Sequence, residues 1–346
     1  MGKLKAMALV PHAAVQLDDY PLDCAWSSDG RQLALAGGEG GVFLAAQHTD
    51  GRWQARRLGN HGMGALAVSW RPGSAEFASA GQDSTVASWD ATSGLQLWRS
   101  APGRQWVEKL AWRPDAALLA SSAARQQSLW SASGTLQHAP DPVSASINAL
   151  CWDAAGADLA AAMHGGIVLT RLESGSPRSR TLPWAETCLA AAFSPNSKFL
   201  AAGSQDGSVH FWYLMTRRDS QMRGYPGKVD CLSWSANSRY LATNAGNDIV
   251  IWDFSGKGPE GSRPLQLRGH TDKVTALAFQ PAGPYLASAG RDWRLSLWQP
   301  GKAQLAMDAQ LSDAEVTLLR FSPDGSRLAV GEASGRLSLF ELVMMG

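Results

Sequence analysis

The side chains of this chain that could do chemistry are four cysteines, seven histidines and a scatter of carboxylates. Thiolate and imidazole hold zinc when they recur at close, fixed intervals. Cys24, Cys151, Cys188 and Cys231 instead stand far apart, with no CxxC and no paired His beside them. A disulfide framework does not suit a chain of 346 residues either, so the thiols are expected as small buried hydrophobes. Acid-base catalysis needs Asp, Glu or His groups that converge at one place. Glu108, His164 and Asp230 are the candidates, and nothing in their spacing brings them together. GxxxxGKS/T, strand-to-helix GxGxxG, GxSxG, HExxH and calcium-loop patterns are all missing. The expectation is a chain that is not an enzyme and carries no cofactor and no metal.

Composition limits the partners as well. Lys plus Arg number 31 against 30 for Asp plus Glu, so there is no general basic field for nucleic acid or anionic lipid. No stretch approaches 18 apolar residues and the N-terminal apolar run is too short for a secretory signal, so the chain is expected to be cytoplasmic and without a membrane partner. Basic runs at 52–57, 176–181 and 215–223 fall in outer-strand regions, where solvated charges discourage edge pairing. The unusual count is tryptophan: 15 indoles beside 9 Phe and 5 Tyr, each a large ring that must be packed.

Their spacing supplies the elements. Trp26, Trp70, Trp112, Trp152, Phe193, Trp234, Phe279 and Phe321 each end an apolar run and precede a short polar turn, at intervals of 40 to 45 residues. About seven residues later comes an apolar-Ala pair, from Leu33-Ala34 to Leu328-Ala329. A third run alternates apolar residues with period two, as in GSVHFW and RLSLW, and a polar, variable fourth run follows. A period near 42 residues with four short strands is one blade of a β-propeller. Ten Trp fall at the ends of first and third strands and Trp98 stands on an outer strand. Trp53 belongs near another outer strand, leaving Trp106, Trp184 and Trp293 in loops.

The chain resembles the WD40 repeat family over essentially its whole length. Two repeats, NHGMGALAVSW…FASAGQDSTVASWD and GHTDKVTALAF…LASAGRDWRLSLW, carry a His nine residues before the first-strand aromatic, followed by Ser, Asp and Trp. The resemblance implies that His61, Ser79, Asp83 and Trp89 form one hydrogen-bonded set within a blade, and His270, Ser288, Asp292 and Trp298 another. The other repeats keep fewer parts, such as Asp206 with Trp212, and Thr243 and Asp248 with Trp252. The fold implied is all-β: one domain over 1–346, an eight-bladed β-propeller of four-stranded antiparallel blades, with a seven-bladed ring as the alternative. Because the chain stops after the third strand of its last repeat, Ala13 to Leu17 is expected to supply the missing outer strand and close the ring.

Strand alternation puts the outer-to-inner loops and the second-to-third turns on one rim. In WD40 proteins that rim and the channel mouth commonly hold the partner. The candidate contacts there are Tyr20, Trp106, Glu108, Arg125, His164, Trp184, Lys228, Arg291 and Trp293, aromatic and Arg anchors among polar groups. Trp293 is the sharpest, since the equivalent turn elsewhere holds the small Ser84. The expected function is a monomeric, non-catalytic scaffold that binds a protein or peptide segment and no nucleic acid. The alternative is a propeller resembling quinone-dependent dehydrogenases, suggested by WDATSGLQLW at 89–98, which occurs once. A lesser alternative, a metal-handling accessory protein, rests on the Cys and His content alone.

Overall fold

The computed structural model describes residues 7–172, 177–256, 258–302, 304–310 and 314–344. Among them the regular structure is β-strand throughout, apart from one 3-10 turn at Pro300–Lys302. The fold is a propeller of four-stranded antiparallel blades. In the first repeat the order is Pro21–Trp26, Gln32–Gly37, Gly41–Gln47 and Trp53–Asn60, each strand pairing with the next. The expected alternation holds: Trp26 opposes Leu33 across the first pair, as Trp70 opposes Phe77 and Phe279 opposes Leu286.

The apolar-Ala pair has a packing reason. Successive side chains on a strand point to opposite faces. Ala34 and Ala36 share a cluster with Trp70 and Phe77 of the following repeat. Ala78 meets Trp112 and Leu119, Ala120 meets Leu159, and Ala160 meets Leu200. Ala201 meets Leu241, Ala242 meets Leu286, Ala287 meets Leu328, and Ala329 meets Leu33. A small residue on one sheet thus admits the bulk of its neighbour, and burying each such Leu contributes roughly 1.5–3 kcal/mol. The last pair joins the two ends of the chain.

Closure is also made by hydrogen bonds. The strand Met7–Gln16 pairs antiparallel with Arg336–Met344 and completes the sheet of Val316–Phe321 and Arg327–Glu332. It is longer than the Ala13–Leu17 segment expected, with a register shift between Pro11 and Ala13, and Leu17 N–H donates to Gly335 O just beyond it. On the inner side, Trp26 Nε1 donates to Arg320 O at 3.0 Å.

The sheet count differs from the eight separate sheets expected. Among the described residues there are seven hydrogen-bonded sheets, the number of the seven-bladed alternative, because one has six strands: Ala149–Trp152, Asp158–Arg171, Arg178–Phe193, Phe199–Ser204, Val209–Tyr213 and Arg218–Met222. Two long strands account for it. Fourteen extended residues would reach about 46 Å, yet Leu172 N–H donates to Ala157 O at 2.9 Å across the ends of Asp158–Arg171. That strand therefore doubles back, at Gly165 and Gly166, whose φ values of 91° and 121° suit glycine. Arg178–Phe193 pairs through its first part with Gly166–Arg171 and through its last with Phe199–Ser204, so it runs from one repeat into the next without a loop.

Candidate partner-binding face

The rim made by the second-to-third turns has one conformational demand, a residue in the left-handed region. Gly40, Gly165, Gly207, Gly246 and Gly335 meet it without strain, and Ser84 and Ala124 meet it with small side chains. Trp293, at φ 60°, is the exception. Its turn is built like that of Ser84: Trp293 N–H donates to Gly290 O and Ser84 N–H to Gly81 O, both at 3.3 Å. The left-handed conformation costs a side-chain-bearing residue roughly 1–2 kcal/mol, and 39% of this Trp faces solvent. The Ser84 turn shows that the backbone conformation itself does not require an indole.

Beside it, Arg291 reaches Glu315 of the next repeat at 3.1 Å. Lys273 and Lys228 both engage Asp230, at 2.8 and 3.2 Å, and Asn244 Nδ2 donates to the same carboxylate. Burial pushes the Asp230 carboxyl up, but the hydrogen bonds from Lys273 and Asn244 outweigh it and hold the group below the usual range. Asp230, Thr275 and Thr317 line the channel mouth, a cavity of about 280 Å³ that also holds Asp23 and Arg320. Burial raises the Asp23 carboxyl although Arg320, 3.6 Å away, opposes it.

The other candidates are spread around the ring. Trp106 is 48% exposed in the loop entering Val107–Trp112. Tyr20 is exposed at one edge, its ring lying so close over Gly38 that a Cβ there would fall 2.0 Å from it. Arg125 is exposed and Glu108 half-buried. His164 is exposed with Nδ1 3.0 Å from Thr187 Oγ1, and neither it nor Glu108 lines the cavity that Asp230 lines. Trp184 departs from its expected place in an open loop: it is half-buried and stacked on His210, ring centroids 4.1 Å apart.

Both implied polar sets are assembled. Trp89 Nε1 donates to Ser79 Oγ at 2.7 Å, Ser79 Oγ lies 2.7 Å from His61 Nε2, and His61 Nδ1 lies 2.9 Å from Asp83. The second runs Trp298 to Ser288 at 2.8 Å, Ser288 to His270 at 2.7 Å and His270 to Asp292 at 3.0 Å. With Trp able only to donate, each hydroxyl donates onward and each neutral imidazole carries its proton on Nδ1, an assignment made from the network.

A third set escaped the sequence reading. Tyr225 stands nine residues before Trp234, where His61 stands before Trp70. Trp252 Nε1 donates to Tyr225 Oη at 2.7 Å, and that hydroxyl lies 2.8 Å from Thr243 Oγ1; burial pushes the phenol up to about 12. Trp184 occupies the same place before Phe193, and there Trp184 Nε1 and Ser204 Oγ are buried without a partner among the described residues. The nine-residue interval, followed irrespective of residue type, was the available signal. Tyr225→Phe is expected to lower stability by about 1–3 kcal/mol in urea denaturation, since it strands a buried indole N–H.

The remaining groups are quiet chemically. Burial pushes all four thiols up to about 12, away from thiolate reactivity. No cluster of three or more His, Cys, Asp or Glu suited to a metal occurs among the described residues. In the 89–98 stretch Asp90 caps a surface turn by accepting from Thr92 and Ser93 N–H. Burial pulls His61 below the ordinary histidine range despite the opposing pull of Asp83, and does the same to His210, whose Nε2 lies 3.0 Å from Asp219. Below about pH 6.5 these two imidazoles bind more protons in the unfolded chain than in the folded one, so their contribution to stability is lost as pH drops below that value, whereas the raised Asp23 carboxyl acts in the opposite direction. Melting temperature is expected to be lower at about pH 5.5 than at about pH 7.5.

Comparison with known proteins was then informative. Residues 180–213, 218–253 and 261–299 match the WD40 family model, described as WD domain, G-beta repeat. THO complex subunit 3 of Arabidopsis thaliana is 27% identical over 140 residues, 40% of this chain and 43% of that protein. Pre-mRNA-processing factor 19 homolog 2 of Arabidopsis thaliana is 28% identical over 162 residues, 44% and 29% of the two chains. WD repeat-containing protein 1 of Gallus gallus is 23% identical over 167 residues, 45% and 26%. The matched stretches thus span less than half the length of each relative. The computationally designed Ika8 protein superposes with a TM-score of 0.77 at 19% identity, covering 94% of this chain and 98% of that one, a likeness of fold alone.

Proposed function

The chain is a WD40 repeat protein, and from that premise we propose that it is a non-catalytic, monomeric platform that holds a protein segment against the rim carrying Trp293. The observation that carries this reading is the indole itself: a large apolar ring, 39% exposed, at a left-handed turn position that the equivalent turns give to Gly, Ser or Ala. Trp106, Tyr20, Arg291 and Lys228 add exposed aromatic and cationic groups to the same rim, and a few such anchors dominate binding in protein interfaces. The names of two relatives, a THO complex subunit and a pre-mRNA-processing factor, favour membership of an assembly.

We further infer that the ring counts eight units, the six-stranded sheet contributing two. Supporting this are the doubled-back strand Asp158–Arg171 and the apolar clusters that join every repeat to the next, the Phe321 repeat to the Trp26 repeat included. An end-on view by cryo-electron microscopy tests the count.

Crosslinking and affinity purification from the native cell tests the function. A folded Trp106→Ala/Trp293→Ala variant should lose the proteins captured by the unaltered chain. Capture of the same proteins by both would sink the proposal.

A further inference from the structure

A second surface lies on the opposite rim, where first-to-second and third-to-fourth turns emerge. Between the Trp152 and Phe193 repeats is a cleft of about 710 Å³, into which the basic runs at 176–181 and 215–223 bring Arg178, Arg180 and Arg217, and the neighbouring turn brings Lys198. All four are exposed and, among the described residues, none of their side chains makes an ion pair or hydrogen bond. Four other arginines of that rim are paired. Arg71 engages Glu76 at 2.7 Å, Arg113 Asp115 at 3.5 Å, Arg239 Asp253 at 2.8 Å and Arg327 Glu341 at 3.6 Å.

The sequence explains the difference. Asp253 follows Trp252 and faces Tyr240 across the strand pair; in the Phe193 repeat Tyr213 follows Trp212 and faces Phe199. Lys198 stands five residues beyond Phe193 as Arg239 stands five beyond Trp234, but its carboxylate is gone. In the Trp152 repeat the acid of the local pair is Asp158, and Arg171 takes it up at 2.9 Å. The remaining cations face solvent beside Leu214 and Met215.

We propose that this cleft docks an acidic segment of a partner protein, with carboxylates on the four cations and an apolar side chain against Leu214 and the exposed Met215. Its volume falls within the range of ligand sites, roughly 300–1,000 Å³. Among the described residues no aromatic ring lines it, whereas single-stranded nucleic acid sites stack bases on aromatic side chains. The proposal goes beyond the Trp293 reading and stands on separate residues.

Fluorescence anisotropy with a labelled peptide of eight glutamates around two central leucines tests it. Binding should weaken at least about tenfold between about 50 mM and about 500 mM salt. It should fall at least about tenfold in Arg178→Glu/Arg180→Glu/Arg217→Glu, and persist in the Arg-to-Lys version and in Trp106→Ala/Trp293→Ala. Arg217→Glu alone, at an exposed turn, should weaken it in the same direction if the triple variant misfolds. Undiminished binding in the folded charge-reversed protein overturns the proposal. Tighter binding of a single-stranded RNA of matched charge through the same arginines overturns it in favour of nucleic acid.

Discussion

Trp293→Gly is expected to abolish partner capture while leaving the propeller as stable as before, or more stable by up to about 1 kcal/mol. The sign follows from the turn. At φ 60° an L side chain crowds its own backbone, a penalty of roughly 1–2 kcal/mol that glycine escapes. Glycine returns part of that gain as greater freedom of the unfolded chain, about 0.5–1 kcal/mol. The turn's own bonds remain, because Trp293 N–H to Gly290 O is backbone and Asp292 stays with His270. Trp293→Ser, which reproduces the Ser84 turn, should bind no better than the Gly variant and unfold at nearly the wild-type urea concentration. Affinity purification and urea denaturation on the same preparations read both quantities. A loss of 2 kcal/mol or more, estimated on the scale of a buried aromatic, would mean that the indole packs, and the reading of this rim would fail.

Much of the architecture is legible in sequence because a propeller repeats its constraints. Each repeat needs a wide first-strand aromatic, a Leu beneath its own blade and an Ala beneath the next, so Leu33-Ala34 and its counterparts recur at nearly constant spacing. Ring closure was readable from a missing fourth strand at one end and an extra one at the other. Three features were less accessible. Residue type hid the third polar set: Tyr225 uses a hydroxyl where His61 uses an imidazole, while Trp184 fills the same place by stacking on His210. Strand continuity hid the merging of two sheets, because the residues between Leu182 and Cys188 stay extended instead of forming a separate loop. The basic runs at 176–181 and 215–223 looked like isolated edge charges. They meet only because the Trp152 and Phe193 repeats are neighbours in the ring, and beside them a Tyr in place of an Asp leaves Lys198 without the carboxylate that Arg239 has.

The two histidine sets should not respond equally to mutation. His270→Ala is expected to cost about 3 kcal/mol and His61→Ala clearly less, because their carboxylates differ in surroundings. Asp292 is only 3% exposed and His270 1%, so removing the imidazole leaves the carboxylate in a buried site whose hydrogen bonds, among the described residues, come from Thr271 and Arg294 N–H. Stranding one member of a buried polar pair typically costs about 3–5 kcal/mol, and those two donors argue for the lower end. Asp83 is 21% exposed, accepts from Thr85 Oγ1 at 2.8 Å and has Arg99 at 3.1 Å, so it keeps both water and a cation after His61 is lost. In both variants Ser Oγ loses its acceptor but keeps the indole N–H, a smaller and shared term. His270→Ala/Asp292→Asn should recover part of the loss, since the amide no longer holds a buried charge, whereas His61→Ala/Asp83→Asn should recover little and forfeits the Arg99 contact. Urea midpoints for the four proteins, measured at about pH 7.5, give the order. An equal loss for the two single variants would show that exposure of the carboxylate does not set the energy of these sets.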